Sequence, residues 1–328
     1  MILITGGGTG GHLSIAKSLK EAFLELGTNA IYVGSTNGQD RKWFAQDNAW
    51  SARYFLQSEG VVNKKGFKKL LVLAQIAKQA QEAKEIIKRH QVKAVVSVGG
   101  YSAAPASFAA ILNTTPLFIH EQNAVTGRLN ALLKPFAKRF FCSFLPPYDP
   151  YPVSERFYTT RRIRKELRTL IFLGGSQGAR QINDIALALA PRLHEKGISI
   201  IHQCGSRELQ RVQEAYERLG IEADLFDFDA NLAEKIAKAD LAIARAGAST
   251  VWELAANALP ALFVPYPYAA GDHQRKNALF LQERGGGALW SEKTDIFSLD
   301  LEAMSRKLAE LFEPHGARKI AQEILNSI

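Results

Sequence analysis

Short apolar runs alternate along this chain with longer stretches in which apolar and polar positions recur at helical spacing. ILIT, AIYV, AVVSV, PLFIH and KRFFCSF read as strands in the first half, and TLIFLGG, ISIIHQC, DLFDF, LAIARAG and ALFVPY in the second. Between them, residues 14–26, 78–90, 179–195 and 230–239 read as helices. Continuous apolar strands separated by helices predict an α/β class with parallel sheets covered on both faces. The pattern breaks at PPYDPYP (146–152) and the basic RRIRKELR that follows, which read together as a linker, and then it resumes. The restart carries its own glycine loop, since LIFLGGSQGAR echoes LITGGGTGGH. Two doubly wound domains, facing each other across a cleft, are the economical expectation.

The length allows this: 328 residues suffice for two ordinary cores. Apolar content of 47% and charged content of 22% are those of a globular protein. No run approaches ~20 uninterrupted apolar residues, so no membrane span is expected. Met1 leads straight into strand-like MILIT, so no secretory leader is expected either. Cys142 and Cys204 are too few for a disulfide framework or a zinc site, which suggests a reducing cytosol. Net charge is +9, favouring phosphate-rich partners or an anionic membrane surface without choosing between them.

The first glycine loop narrows the chemistry. Five of the six residues from Gly6 to Gly11 are glycine, and Gly6, Gly8 and Gly11 satisfy the G-x-G-x-x-G dinucleotide fingerprint. That fingerprint also wants an acid at the end of the second strand, where this chain has Val33-Gly34-Ser35-Thr36, so a nicotinamide cofactor is disfavoured. A phosphate-binding P-loop fails too, because His12-Leu13 stands in place of its Lys-Ser/Thr pair. Backbone N–H groups at a helix N-terminus, aimed at an anion such as a phosphate, are what survives. The plain alternative is a tight turn that needs glycine only for its dihedrals, and five glycines exceed that need.

His12 opens the helix after this loop. A helix N-terminus favours a neutral imidazole, which suits a general base, while a histidine merely binding a phosphate fits equally well. GGSQGAR offers Ser176 and Gln177 in a second phosphate-type turn. HEQNA (120–124) follows a strand and is not a metalloprotease motif, since Ala124 stands where a second histidine belongs. ARAGASTVWE (244–253) also follows a strand: its small residues admit a flat ligand, and Glu253 could accept from a ribose diol or simply face solvent. GDHQRKNA (271–278) adds Gln274 and Asn277.

GGGTGGH, GGYSAAP, HEQNAVTGRLN, GGSQGA, RAGASTVWE and HQRKNA, in this order, resemble the MurG family of UDP-N-acetylglucosamine transferases over nearly the whole chain. The resemblance implies a glycosyltransferase-B fold of two Rossmann-like domains, residues 1–155 with a returning C-terminal helix at 312–328, and residues 156–311. It implies an inverting transfer of GlcNAc from UDP-GlcNAc to the 4-hydroxyl of lipid I, giving lipid II at the cytoplasmic face of the inner membrane, in cell-wall biogenesis. On that resemblance the second domain holds the donor: Ser176, Gln177 and Gly178 at the diphosphate, Glu253 at the ribose, and Arg245, Ala248, Ser249 and Thr250 around the nucleotide. Gln274 and, from the first domain, Asn123 would hold the sugar, with Thr9, Gly10 and Gly11 adjoining the donor. Gly7, Gly8, Gly10, Gly11, His12 and Tyr101 would face the acceptor, with His12 as base and Glu121 as the next candidate.

The loop after GGY is SAAP rather than the family's commoner form with valine and glycine, a minor change, and two further positions depart from the family pattern. Where the family has N-P-V-R, with an arginine near the diphosphate, this chain has Tyr151-Pro152-Val153-Ser154; Arg156, Arg161, Arg162 or Arg164 could substitute, or Arg245 with helix dipoles suffice. The family's paired glutamines appear as His273-Gln274. Asp227-Phe228-Asp229 is literally a D-x-D metal pair, but the implied fold stabilises UDP with helix N-termini, so no metal or other cofactor is expected. Lys64, Lys65, Lys68 and Lys69 beside Phe67, Leu70, Leu71, Val72, Leu73 and Ile76 suit an interfacial anchor at an anionic leaflet, or else a core helix with a basic end. An epimerase of similar fold is the alternative enzyme; a nucleic-acid-binding protein would explain the charge but not two glycine loops.

Overall fold

The computed structural model describes the chain except residues 61–66, 176–177 and 230 and the side chains of 67–70. It divides into two compact units, Met1–Val153 with His315–Ile328, and Ser154–Pro314.

In the first unit the order is β1 (Ile2–Thr5), α1 (Gly10–Glu25), β2 (Ala30–Ser35), α2 (Asp40–Phe44), β3 (Ala52–Leu56), α3 (Phe67–Arg89), β4 (Ala94–Ser97), α4 (Ala104–Leu112), β5 (Leu117–Glu121), α5 (Arg128–Leu133) and β6 (Arg139–Cys142). In the second it is β7 (Thr169–Leu173), α6 (Arg180–Glu195), β8 (Ser199–Gln203), α7 (Leu209–Leu219), β9 (Asp224–Phe226), α8 (Leu232–Lys238), β10 (Leu241–Ala244), α9 (Ala248–Ala256), β11 (Ala261–Phe263), α10 (His273–Gln282), β12 (Gly287–Leu289) and α11 (Leu301–Leu311). The last helix, α12 (Gly316–Asn326), belongs to the first unit. There Arg139 on β6 bridges Asp149 and Glu323 at 2.8 Å each.

Each unit holds one six-stranded sheet, ordered β3-β2-β1-β4-β5-β6 and β12-β11-β10-β7-β8-β9. Every pairing is parallel. Renumbered within its unit, the second order is the first read backwards, so both are the doubly wound 3-2-1-4-5-6 arrangement. Such a sheet reverses direction between its first and fourth strands, and ligands bind beyond the carboxyl ends of the strands at that reversal. The reversals lie between β1 and β4 and between β7 and β10, beside both glycine turns. The central strands are continuous apolar runs because helices cover both faces: Ile2, Leu3, Ile4, Val95, Val96, Ile171, Phe172, Leu241 and Ile243 are all fully buried.

The outer strands β3 and β12 were not expected from the pattern. ARYFL is half-exposed along most of its length and GAL is three residues long, so neither presents a fully apolar run. The basic stretch after the prolines is also no solvated linker. Arg164 is fully buried and donates to the Arg162 carbonyl at 2.7 Å, to Ala239 O at 3.2 Å and to the carbonyl and side chain of Asn257. Burial draws its guanidinium down to about 9, aided by Arg162 and opposed by Asp240. Arg162 closes on Asp240 at 2.7 Å.

Candidate active site

The first glycine turn joins β1 to α1 and interlocks with the turn after β4. A Cβ on Gly6 (φ +116°) would come 2.4 Å from Gly99 O, and one on Gly100 (φ +80°) 2.4 Å from Gly7 O. Much of the glycine density therefore serves the close approach of two backbone turns. Two N–H groups of the turn are engaged within the protein, Gly7 N donating to Gly99 O at 3.2 Å and Gly8 N to Asp40 Oδ2 at 2.6 Å. Gly7 and Gly8, both expected to face the acceptor, thus have their N–H groups engaged inside the fold. Gly10 is different from its neighbours: a Cβ there would meet only Trp43 at 3.6 Å and Gln39 at 3.8 Å, ordinary contact distances.

Beneath the turn lies Asp40, fully buried at the start of α2. It accepts from Gly8 N, from Ser35 N at 2.9 Å and from Tyr32 OH at 3.0 Å. Burying a carboxylate is tolerable when several donors meet it, and here they tie β2, α2 and the glycine turn together. Tyr32 also lies 2.8 Å from Gly6 O, and burial with the Asp40 charge raises its phenol. Sequence reasoning missed Asp40, whose one signal is an acid opening a short helix. Tyr101 stands over Gly8, where a Cβ would come 2.8 Å from its ring, and burial raises its phenol.

His12 sits in the first turn of α1. Thr9 Oγ1 lies 2.9 Å from its Nδ1 and Gln122 Nε2 lies 2.9 Å from its Nε2. Gln122 belongs to the HEQNA turn after β5, which thereby reaches the glycine turn. Glu121, the second candidate base, takes another role. It is buried and accepts from Asn123 N at 3.0 Å, Gly127 N at 2.8 Å and Asn130 Nδ2 at 2.9 Å, so its oxygens organise the turn that carries Gln122 and Asn123. Its carboxylate is thus engaged within that turn. His120 is fully buried, and desolvation, with the His12 charge, pushes it down to about 3.

In the second unit, Gly178 of the β7–α6 turn donates its N–H to Gly175 O at 2.9 Å; Ser176 and Gln177 lie outside the described residues. The β10–α9 turn places Arg245 against the end of β11, where Nη1 donates to Val264 O at 2.8 Å and Pro265 O at 3.1 Å. Gly247 is the N-cap of α9, so Ala248, Ser249 and Thr250 form its first turn and Glu253 lies in the next. Burial pushes the Glu253 carboxyl up to about 7, and Arg156 draws it back. Of the arginines weighed as substitutes at the diphosphate, Arg162 and Arg164 are built into the fold, whereas Arg156 acts on Glu253. Gln274 Oε1 accepts from Tyr266 N at 2.9 Å, and Asn277 is buried with Nδ2 donating to Ala246 O at 3.1 Å.

The D-x-D acids are held by their own surroundings: Asp227 accepts from Phe228 N at 2.6 Å, and Asp229 from Asn231 N at 2.7 Å. Among the described residues no group of three or more His, Cys, Asp and Glu is arranged to hold a metal. On α3, Val72 and Ile76 are buried against Ala104, whereas Leu71 and Leu73 are 53% and 46% exposed, so the apolar run serves both core and surface. Lys64 and Lys65, and the side chains of Phe67, Lys68, Lys69 and Leu70, lie outside the described residues. No helix among the described residues is long and apolar enough to cross a membrane.

The glycosyltransferase family 28 N-terminal domain matches residues 2–142 and the family 28 C-terminal domain matches residues 169–322. A Nitratiruptor protein named UDP-N-acetylglucosamine--N-acetylmuramyl-(pentapeptide) pyrophosphoryl-undecaprenol N-acetylglucosamine transferase is 58% identical, over 100% of this chain and 99% of its own. A Campylobacter jejuni protein of the same name is 49% identical, over 99% of this chain and 97% of its own. Among solved structures, the crystal structure of Acinetobacter baumannii MurG superposes with a TM-score of 0.76 at 28% identity, covering 99% of each chain. A Neisseria meningitidis UDP-GlcNAc 2-epimerase, at 11% identity and a TM-score of 0.61 over 99% of each chain, shares the fold alone.

Proposed function

This chain belongs to glycosyltransferase family 28, and to the MurG transferases within it, and we propose the site roles that let its two units perform their reaction. It has the glycosyltransferase-B fold and transfers GlcNAc from UDP-GlcNAc to the 4-hydroxyl of the MurNAc of lipid I, forming lipid II with release of UDP. The second unit binds the donor: Glu253 accepts from the ribose diol, the opening of α9 at Ala248, Ser249 and Thr250 lies along the nucleotide, and Arg245 and Arg156 supply positive charge near it. Gln274 in this unit holds the sugar. The first unit binds the acceptor, with the opening of α1 at Thr9, Gly10 and Gly11 meeting the diphosphate and Tyr101 beside it.

His12 takes the proton of the attacking hydroxyl as the new carbon–oxygen bond forms and the bond to UDP breaks. No step requires a metal. The observation that carries this reading is His12 in the first turn of α1, held by Thr9 and Gln122 two residues beyond Gly10, where a Cβ would meet only ordinary contacts. UDP release from UDP-GlcNAc, measured with and without a lipid I analogue, tests it. Acceptor-dependent release supports the transferase; release with an unmodified or epimerised sugar and no acceptor requirement overturns it.

The enzyme works as a peripheral protein at the anionic cytoplasmic leaflet, where its lipid-linked substrate is anchored. Exposed Leu71 and Leu73 on α3 support this, together with Leu132 on α5 and the neighbouring Phe136, each 59% exposed, since Leu129 of α5 packs on the same cluster as Val72. Replacing Leu71 and Leu73 with serine should reduce sedimentation with anionic vesicles while activity on a short-chain acceptor survives; unchanged vesicle binding refutes the anchor.

A further inference from the structure

Both ring nitrogens of His12 are held, and by groups of different character. The side-chain amide nitrogen of Gln122, 2.9 Å from His12 Nε2, can only donate. The Thr9 hydroxyl, 2.9 Å from Nδ1, can donate or accept. Thr9 is the N-cap of α1, a position where threonine ordinarily accepts from a helical N–H, yet its side chain caps nothing. Its hydroxyl is turned to the imidazole instead.

We propose that Gln122 is the positioning residue of His12: its amide fixes the neutral Nδ1–H tautomer, with the hydrogen toward Thr9 Oγ1 and the lone pair at Nε2. The inference rests on the reading of His12 as the base. A ring that must accept a proton at Nε2 needs its other nitrogen already protonated, and the arrangement supplies that. The amide N–H occupies the place that the attacking hydroxyl, itself a donor, takes over. The hydroxyl proton then passes to Nε2, its oxygen bonds the anomeric carbon, and UDP leaves with the electron pair of the broken bond. An amide is neutral, so it orients the ring without drawing it into the charged form as a carboxylate would.

The other titratable groups at this end of the sheet are engaged within the protein. His120 on β5 is buried, and desolvation keeps its ring neutral. Glu121 is engaged by Asn123, Gly127 and Asn130, and Asp40 by Gly8, Ser35 and Tyr32.

The test uses the full chain labelled with 15N-histidine, with the His12 signals assigned by their loss in His12→Asn. Long-range proton–nitrogen correlation at high pH should show Nδ1 protonated and Nε2 bare, and Gln122→Met should abolish that preference. In Gln122→Glu, which keeps the side chain's size, a carboxylate accepts from Nε2–H and favours the imidazolium. The acid limb of its kcat/KM profile should move up by about one pH unit, with the deficit near neutrality recovered at high pH and UDP-GlcNAc affinity unchanged. An Nε2–H tautomer in the wild-type protein, or a Gln122→Glu profile superimposable on wild type, overturns the proposal. Failure of the base reading looks different: His12→Asn would turn over at a near-normal rate while the tautomer stayed as described.

Discussion

Asp40 and Glu253 are both carboxylates near a glycine-containing strand-to-helix turn, one in each unit, and the protein treats them oppositely. Asp40 is fully buried and receives Gly8 N, Ser35 N and Tyr32 OH. No hydrogen bond to the Glu253 carboxyl is found among the described residues; Arg156 is its charge partner, and burial pushes it up to about 7. A carboxylate whose lone pairs are filled by backbone donors is part of the scaffold. One held in a poorly hydrated place without donors is costly to the folded chain, and a ligand that brings two hydroxyls relieves that cost. Glu121, filled by its own turn, stands with Asp40 in this respect.

The comparison breaks most sharply at Asp40. In Asp40→Ala three donors lose a charged acceptor in a buried place, each worth roughly 1.5–3 kcal/mol when the partner is ionised, with partial recovery from water. The expected loss is about 3–5 kcal/mol in the unfolding of the first unit, followed by urea denaturation. A loss under about 1 kcal/mol would mean the carboxylate does not hold the turn.

His12 comes next. A placed base contributes typically 10²–10⁴-fold, so His12→Asn should lower kcat by at least about a hundredfold, roughly 2.7 kcal/mol in the barrier, with UDP-GlcNAc affinity nearly unchanged. Asparagine retains an amide that can bind phosphate. Turnover within a few-fold of wild type would therefore make His12 a phosphate ligand.

How far these roles were legible in the sequence follows from what each depends on. The central strands declare themselves because both of their faces are covered, and the glycine turns because they follow those strands. Edge strands β3 and β12 lack the apolar run that comes only with coverage on both sides. Asp40 is a lone acid in STNGQD, and its importance appears only when parallel pairing of β1 with β2 brings Ser35 and the glycine turn to one end of the sheet. RRIRKELR reads as solvated charge because nothing local reveals that Arg164 meets Asn257, far along the chain. Gln122 stood inside a quoted motif, but its reach to His12, 110 residues away, is a property of the fold.

Glu253 gives a pH test. Its folded-state pKa is raised from 4.5 to about 7, so between those values the folded chain keeps a proton that the unfolded chain releases. Its contribution therefore favours folding at the low end of that window and is lost as pH rises through about 7. Binding has the opposite sign. Ribose hydroxyls donate to the ionised form, so UDP-GlcNAc affinity should rise by up to about tenfold from pH 6 to 8. Calorimetric titration of Glu253→Gln should show a flat profile over the same range; a wild-type profile already flat would detach Glu253 from the ribose.

The smallest expected effect on stability falls at Gly10, and it sharpens the contrast within the glycine turn itself. Gly6 and Gly100 admit no Cβ, because a carbonyl oxygen stands 2.4 Å from where it would lie. At Gly10 the nearest atoms are 3.6 and 3.8 Å away, and the residue is already helical. Alanine is a better helix former than glycine by up to about 1 kcal/mol, so Gly10→Ala should leave stability unchanged or raise it slightly. If the bare backbone is there for the acceptor's diphosphate, the added methyl stands between the phosphate and the N–H groups at the opening of α1. KM for the lipid-linked acceptor should then rise several-fold while UDP-GlcNAc binding to the second unit holds. A variant as stable and as active as wild type would leave Gly10 with no role in the site, and the anion would have to be held by the residues around it.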